Sequence, residues 1–234
     1  MIKKTLSAAC LSAAGLFALC LGLAAPAAAE VGPGTVQIRL RVIDIIPNAD
    51  SNEIREIGGP AIAGSAVDVD DSIVPEVDVT VFVHEHVAFE IIAATAEHDI
   101  DADGTVKALG KLADTWILPP TLMIQWHFCP EAKVRPYIGA GINYSTFYNE
   151  QSTSSLDTAL GGPTEVDLDS SWGWALQAGF DVKLNDHWFL NFDAKYIDVD
   201  TTAVLTTDDG FGTQRKVDVN IDPLVLGFGF GYRW

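Results

Sequence analysis

The last eleven residues, Leu224-Val-Leu-Gly-Phe-Gly-Phe-Gly-Tyr-Arg-Trp234, alternate strictly and end on an aromatic. Successive side chains of a strand point to opposite faces. Leu224, Leu226, Phe228, Phe230, Tyr232 and Trp234 therefore share one face, and Val225, Gly227, Gly229, Gly231 and Arg233 share the other. One face is large and apolar, the other nearly bare. A soluble domain would turn the apolar face to a core and leave a glycine row to water. A closed membrane barrel wants the reverse, with lipid outside and a narrow lumen inside. Amphipathic rings also settle at the membrane–water boundary. The segment is expected to close an outer-membrane β-barrel, with Phe230, Tyr232 and Trp234 as a C-terminal signal for the barrel-assembly machinery.

The N-terminus fits export. Lys3 and Lys4 precede a mostly apolar run from Leu6 to Leu23, and Ala25-Pro-Ala-Ala-Ala29 supplies small residues for cleavage before Glu30. This is the layout of a secretory signal peptide over residues 1–29, leaving 30–234 as a single barrel domain. A retained membrane helix and a lipoprotein are the alternatives; the second fails because Leu19 precedes Cys20 where a small residue is needed. After Lys3 and Lys4 are removed, 12 basic residues face 32 acidic ones, a net charge of −20. Such a chain does not bind nucleic acid by neutralising phosphates. The exported part holds one cysteine, Cys129, so no disulfide within it is expected and no role is assigned to the thiol.

Eight stretches read as strands: Thr35 to Ile46, Glu76 to Val83, Val87 to Glu97, Thr115 to Phe128, Arg135 to Tyr148, Ser170 to Leu184, His187 to Val199, and Gln214 to the terminus. Their connectors alternate in length. His84 to His86, Cys129 to Val134 and Asn185-Asp186 are tight; Pro47 to Pro75, His98 to Asp114, Asn149 to Asp169 and Thr201 to Thr213 are long and polar. Short periplasmic turns and long outer loops are the habit of outer-membrane barrels. Aromatics bracket the strands: Trp126, Phe128, Trp188 and Trp234 at the turns, Tyr144, Trp172 and Tyr196 at the loops. The fold class is therefore all-β, an eight-stranded antiparallel transmembrane barrel. A lipocalin-like soluble barrel is the alternative, but it would expose the glycine rows.

Several segments also carry a resemblance. Leu118-Pro-Pro-Thr-Leu-Met-Ile-Gln-Trp126, Arg135-Pro-Tyr-Ile-Gly-Ala-Gly-Ile-Asn-Tyr144, Ser171-Trp-Gly173, Tyr196-Ile-Asp-Val-Asp-Thr-Thr202, Val36-Gln-Ile-Arg-Leu-Arg41 and Gly231-Tyr-Arg-Trp234 are similar to segments of the OmpW family of outer-membrane proteins. The resemblance implies an eight-stranded barrel with a narrow, largely hydrophobic channel for small apolar molecules. The chain departs from the family pattern in ending on Trp234 rather than Phe, and in the first outer loop around Ile57 to Gly64.

Eight strands enclose room for side chains or one small ligand. Strand phasing points Arg39, Arg41, Lys183, Lys195 and Arg233 inward with Asp78, Glu90, Asp181 and Asp193, which predicts an ion-paired floor, since confined charges must be paired or hydrated. Nearer the loops, Ile43, Ile45, Ile117, Ile197, Val219 and Ile221 are expected to line an apolar funnel. A solute entering from outside would leave sideways into lipid, where Pro119-Pro120 or Pro223 removes ladder donors. Asp99, Asp101, Asp103 and Gly104 match the opening of a calcium loop, but Gly110 stands where its glutamate belongs, so an acidic loop is the expectation, with weak divalent binding left open. His84 and His86 make no closed metal site. No motif for nucleophilic catalysis, phosphate cradling or metal binding is present, so neither enzyme activity nor a cofactor is expected; a barrel-borne lipid hydrolase or acyltransferase is the enzyme alternative. Two non-enzymatic functions compete: a conduit for small hydrophobic molecules, and a closed structural barrel whose acidic loops meet partners such as phage or bacteriocin. A continuous Arg39/Arg41–Glu90 plug would favour the second.

Overall fold

The structure is a computed structural model describing residues 31–234, so the expected signal peptide lies outside the described residues. In chain order its strands are β1 (Val36–Ile46), β2 (Asp50–Ser51), β3 (Arg55–Glu56), β4 (Ser65–Val69), β5 (Ser72–His84), β6 (Val87–Ala94), β7 (Ala96–Gly104) and β8 (Lys111–Leu118). They continue as β9 (Thr121–His127), β10 (Val134–Ser152), β11 (Thr164–Leu168), β12 (Ser171–Lys183), β13 (Trp188–Ile197), β14 (Asp200–Thr207), β15 (Thr213–Asn220) and β16 (Leu224–Arg233). One short helix, α1 (Ser154–Leu160), is capped by the Thr153 hydroxyl, which accepts from Leu156 N–H. None of the described helices is long and apolar enough to cross a membrane.

Eight strands close a ring in the order β1-β5-β6-β9-β10-β12-β13-β16, and β16 returns to β1, every pair antiparallel. Closure leaves no sheet edge, as hydrocarbon demands, because lipid offers backbone groups no hydrogen-bond partner. The register places Leu40 opposite Phe230 and Val42 opposite Phe228, all on the outside. The side chains of Leu40 and Val42 are each 60% exposed, while Arg39 between them is 0%. The outer face is thus the apolar row on every ring strand, including Val77, Val79, Ile91, Ile124, Ile138, Leu176 and Phe192. Aromatic pairs mark its two margins: Trp188 and Trp234 flank Tyr232 at the turn end, with ring centroids 5.0 and 4.5 Å away, and Tyr144–Trp172 (4.8 Å) and Trp174–Tyr196 (5.3 Å) lie at the other.

The glycine row of β16 is a packing requirement. A Cβ on Gly231 would collide with the Phe189 ring, and one on Gly229 with the Leu40 carbonyl. At Gly227 it would only press on Arg41 Cδ and Ile43 Cγ2 at 3.3 Å.

The four long connectors differ from expectation. They are not loops but an ordered outer extension of the wall. The stretch expected as one strand from Thr115 to Phe128 is split at Pro119-Pro120 into β8 and β9, and that from Gln214 onward is split around Pro223 into β15 and β16. Proline cannot donate to a ladder, so each strand changes partner there. Beyond the breaks, β10-β8-β7-β4 continue one wall, and β11-β14-β15, with β2 and β3 on its edge, forms the other. The extension encloses its own apolar core of Ile54, Val67, Leu112, Leu156, Val166, Leu205 and Val217. Its outward positions carry Asp with many of its Ser and Thr, which is why it read as loop. Asp99, Asp101 and Asp103 lie on β7 rather than in a calcium loop, Asp99 meeting Lys111 at 2.8 Å and Asp103 meeting Lys107 at 3.0 Å. Cys129 lies in the turn after β9.

Substituting Gly229 by Ala should cost about 1–3 kcal/mol of overpacking, while the same change at Gly227 should cost much less. Urea unfolding in lipid vesicles, followed by heat-modifiable gel mobility, distinguishes the two.

Candidate functional site: a charged floor beneath an apolar cavity

The inward row of β1 brings two guanidiniums into the bore. Arg39 Nη1 lies 3.1 Å from Asp78 Oδ1 on β5 and 2.8 Å from Glu90 Oε1 on β6, and its Nη2 lies 3.4 Å from Asp181 Oδ2 on β12. Gln37 accepts from Nη2 at 3.0 Å, and Tyr137 and Phe189 present their rings to the guanidinium at 5.4 and 5.6 Å. One turn of the pleat higher, Arg41 meets Glu76 (2.7 Å), Asp78 (2.8 Å) and Asp193 (3.5 Å). Lys195 on β13 closes the row, 2.7 Å from Asp193 and 3.0 Å from Glu76.

Neutral side chains complete the shell. Gln125 and Gln177 donate to Glu90 Oε2 at 2.8 and 2.9 Å, Tyr137 donates to Asp193 at 2.8 Å, and Asn191 donates to Asp181 at 2.8 Å. Every ring strand except β16 contributes a polar group, and β16 contributes the glycines that make room. All of these groups are buried. Charges this deep persist only when paired and hydrogen-bonded. The network crosses the bore from β1 to β12 and β13.

Of the nine charged residues expected on this floor, seven are gathered near it and two stand apart from its ion pairs. Lys183 lies at the strand end and pairs with Asp186 in the following turn at 2.7 Å. Arg233 is buried, but its Nη2 donates to the Asp186 carbonyl at 3.2 Å. The reason is height: both lie at turn ends, Arg233 in register with Gln37 rather than with Arg39. Glu76, which bridges Arg41 and Lys195, was missed, although it shares the inward parity of Asp78.

Directly above the floor the lining becomes apolar. Ile43, Ile45, Ile92, Ile117, Met123, Ile197 and Val225 pack as one buried cluster. The extension core continues it outward, and together they enclose a cavity of about 140 Å³. All six residues expected in the funnel, Ile43, Ile45, Ile117, Ile197, Val219 and Ile221, border it. So do Ile54, Val67, Leu112, Val166, Leu205 and Val217, which polar neighbours in sequence concealed. Glu76 and Lys195 form its base, and Pro47, Pro119 and Pro223 sit where the wall strands break. An apolar cavity of about 150 Å³ stays dry and takes up a benzene-sized molecule. Its polar lining is sparse: His98, Thr115, Thr121, Thr201 and Arg215. The described residues contain no cluster of His, Cys, Asp and Glu able to hold a metal.

A closed antiparallel ring with a lipid-facing apolar belt, a filled polar interior and an ordered outer extension defines an outer-membrane β-barrel. The family model described as the OmpW family matches residues 32–234, and the chain belongs to that family. Outer membrane protein W of Vibrio cholerae is 32% identical over 222 residues, covering 91% of this chain and 97% of the relative. The crystal structure of the outer membrane protein OprG from Pseudomonas aeruginosa superposes with a TM-score of 0.80 at 32% identity, covering 87% of this chain and 97% of that one. A more distant relative, the dibenzothiophene metabolism operon protein PahQ of Pseudomonas aeruginosa, is 24% identical over 212 residues, 89% of this chain and 92% of its own length. The protein resides in the outer membrane, embedded in its lipid.

Two tests follow from the site. Replacing Arg39 by Met strands Asp78, Glu90 and Asp181 in a dry interior, and should lower unfolding free energy by about 3–5 kcal/mol in vesicle urea titrations. In the outer extension, burial holds the His98 imidazole below its ordinary pKa, against the opposing pull of Asp70, Asp71 and Asp99. Its Nδ1 contacts the Asp70 carbonyl at 2.8 Å. The unfolded chain then takes up a proton before the folded one, so this contribution is complete above about pH 6.5 and is lost as pH falls below it. The protection factors of the β4 and β7 amides, their exchange rates relative to the intrinsic rate at each pH, should fall between pH 7 and 5, and H98Q should flatten that dependence.

Proposed function

We propose that the protein captures small apolar molecules from outside and delivers them sideways into the outer membrane. One observation carries this reading: an apolar cavity stands directly on a buried ion-pair network, so a solute that enters has an apolar berth and no straight way on. Moving an apolar solute through Arg39, Arg41 and Lys195 with their five carboxylates would mean dismantling pairs that cannot be left unpartnered. The wall offers a cheaper exit at Pro119-Pro120 and Pro223, where ladder donors are missing beside the cavity. The resemblance to the family's hydrophobic channels supports the reading, as does the tie of one relative, by name, to an operon for the metabolism of dibenzothiophene, an apolar aromatic. Assembly through the C-terminal Phe230, Tyr232 and Trp234 belongs to the same proposal.

A second reading has an observation of its own. Arg39 and Glu90 pair at 2.8 Å, a contact that supports a closed structural or partner-binding barrel. That reading leaves the cavity without a purpose, and the two separate by experiment. Cells carrying the protein should take up a radiolabelled alkane-like solute faster than cells without it, and A96W, which adds bulk at a residue lining the cavity, should abolish the gain while the barrel still folds. Equal uptake with and without the protein removes the conduit. In planar bilayers the unaltered protein should show no wide conductance, whereas D193A, at a floor residue that does not line the cavity, should open an ionic leak without changing apolar uptake; a wide conductance in the unaltered protein sinks the plug.

A further inference from the structure

Among the described residues, Arg215 has no hydrogen-bond or ion-pair partner. It lies on β15, two and four residues before Val217 and Val219, and like them it borders the cavity. Its Nη1 is buried without any hydrogen bond, and no carboxylate lies within ion-pair distance of its guanidinium. The cross-strand neighbour Glu56 is exposed and makes no ion pair with it. The other bases of the outer extension behave differently. Lys107 and Lys111 are paired with Asp103, Asp99 and Asp114 at 2.8–3.2 Å. Its sequence neighbour Lys216 likewise has an acid, Asp218, at 3.9 Å. Arg215 borders the cavity without one among the described residues.

A guanidinium does not lose its proton in proteins, and it offers a planar fork that matches a carboxylate. A purely hydrocarbon guest would leave Nη1 as it is, buried and unsatisfied. A guest with an apolar body and one carboxylate would lay its body along Leu205, Val217 and Ile54 and give both oxygens to the fork. We propose that the cavity is a site for small apolar monocarboxylates, with Arg215 as the headgroup anchor at its outer end. This rests on the capture reading above and narrows its ligand.

The test uses the full protein in detergent-free lipid nanodiscs, since detergent would itself occupy the cavity. Three probes of one shape are titrated calorimetrically: cyclohexanecarboxylate, its methyl ester, and methylcyclohexane. The carboxylate should bind at least about tenfold tighter than the ester, as charge-assisted hydrogen bonds warrant. R215Q should erase that acid-over-ester preference, and R215K should retain part of it; gel mobility before and after heating verifies that each variant is folded. Equal affinity of acid and ester in the unaltered protein, or an undiminished preference in folded R215Q, overturns the anchor while methylcyclohexane binding keeps the capture reading alive. Absence of binding by all three probes overturns both.

Discussion

Hydrocarbon accepts no hydrogen bond, and this one constraint shapes the rest of the molecule. Each peptide group of a strand in lipid must find another strand, so the sheet closes on itself. Closure at eight strands leaves a bore only as wide as side chains. A bore that narrow does not hold bulk water around charges, so the arginines of β1 are fixed by acids from four other strands. The plug is thus a consequence of ring size together with the choice of Arg at positions 39 and 41.

The wall changes its logic at the proline breaks. Within the membrane, apolar residues look outward and polar ones inward; in the outer extension, water lies outside, and the same alternation runs with apolar residues inward. Thr201, Ala203, Leu205 and Thr207 are buried while Thr202, Val204 and Thr206 between them are not. The inner surface therefore turns from charged to apolar along one continuous bore. That reversal places an apolar cavity on top of an ionic floor, and chemistry follows from their contact.

Much of the ring was legible because lipid enforces a long, unbroken alternation, as in β16 and β1. The tight turns at His84 to His86 and at Asn185-Asp186 followed from the same pattern. The extension was not legible, because its outward residues are the Asp, Ser and Thr that also fill disordered loops. Nothing local in Thr164–Leu168 or Ser65–Val69 says that its valines meet a core, since that core is assembled from strands far apart in sequence. The inward set of the site was readable by parity, and Glu76 was there to be read. Its partners were not, because parity gives a face without giving a height.

What the sequence by itself determined is which side chains face lipid and which face the bore, since a period of two is a local property of the chain. Only the tertiary structure decided which inward residues meet. Lys183 and Arg233 share the inward parity of Lys195, yet stand at a level where the turn rather than the carboxylate row receives them. Strand tilt and stagger set those heights, and both are fixed only when the last strand hydrogen-bonds to the first.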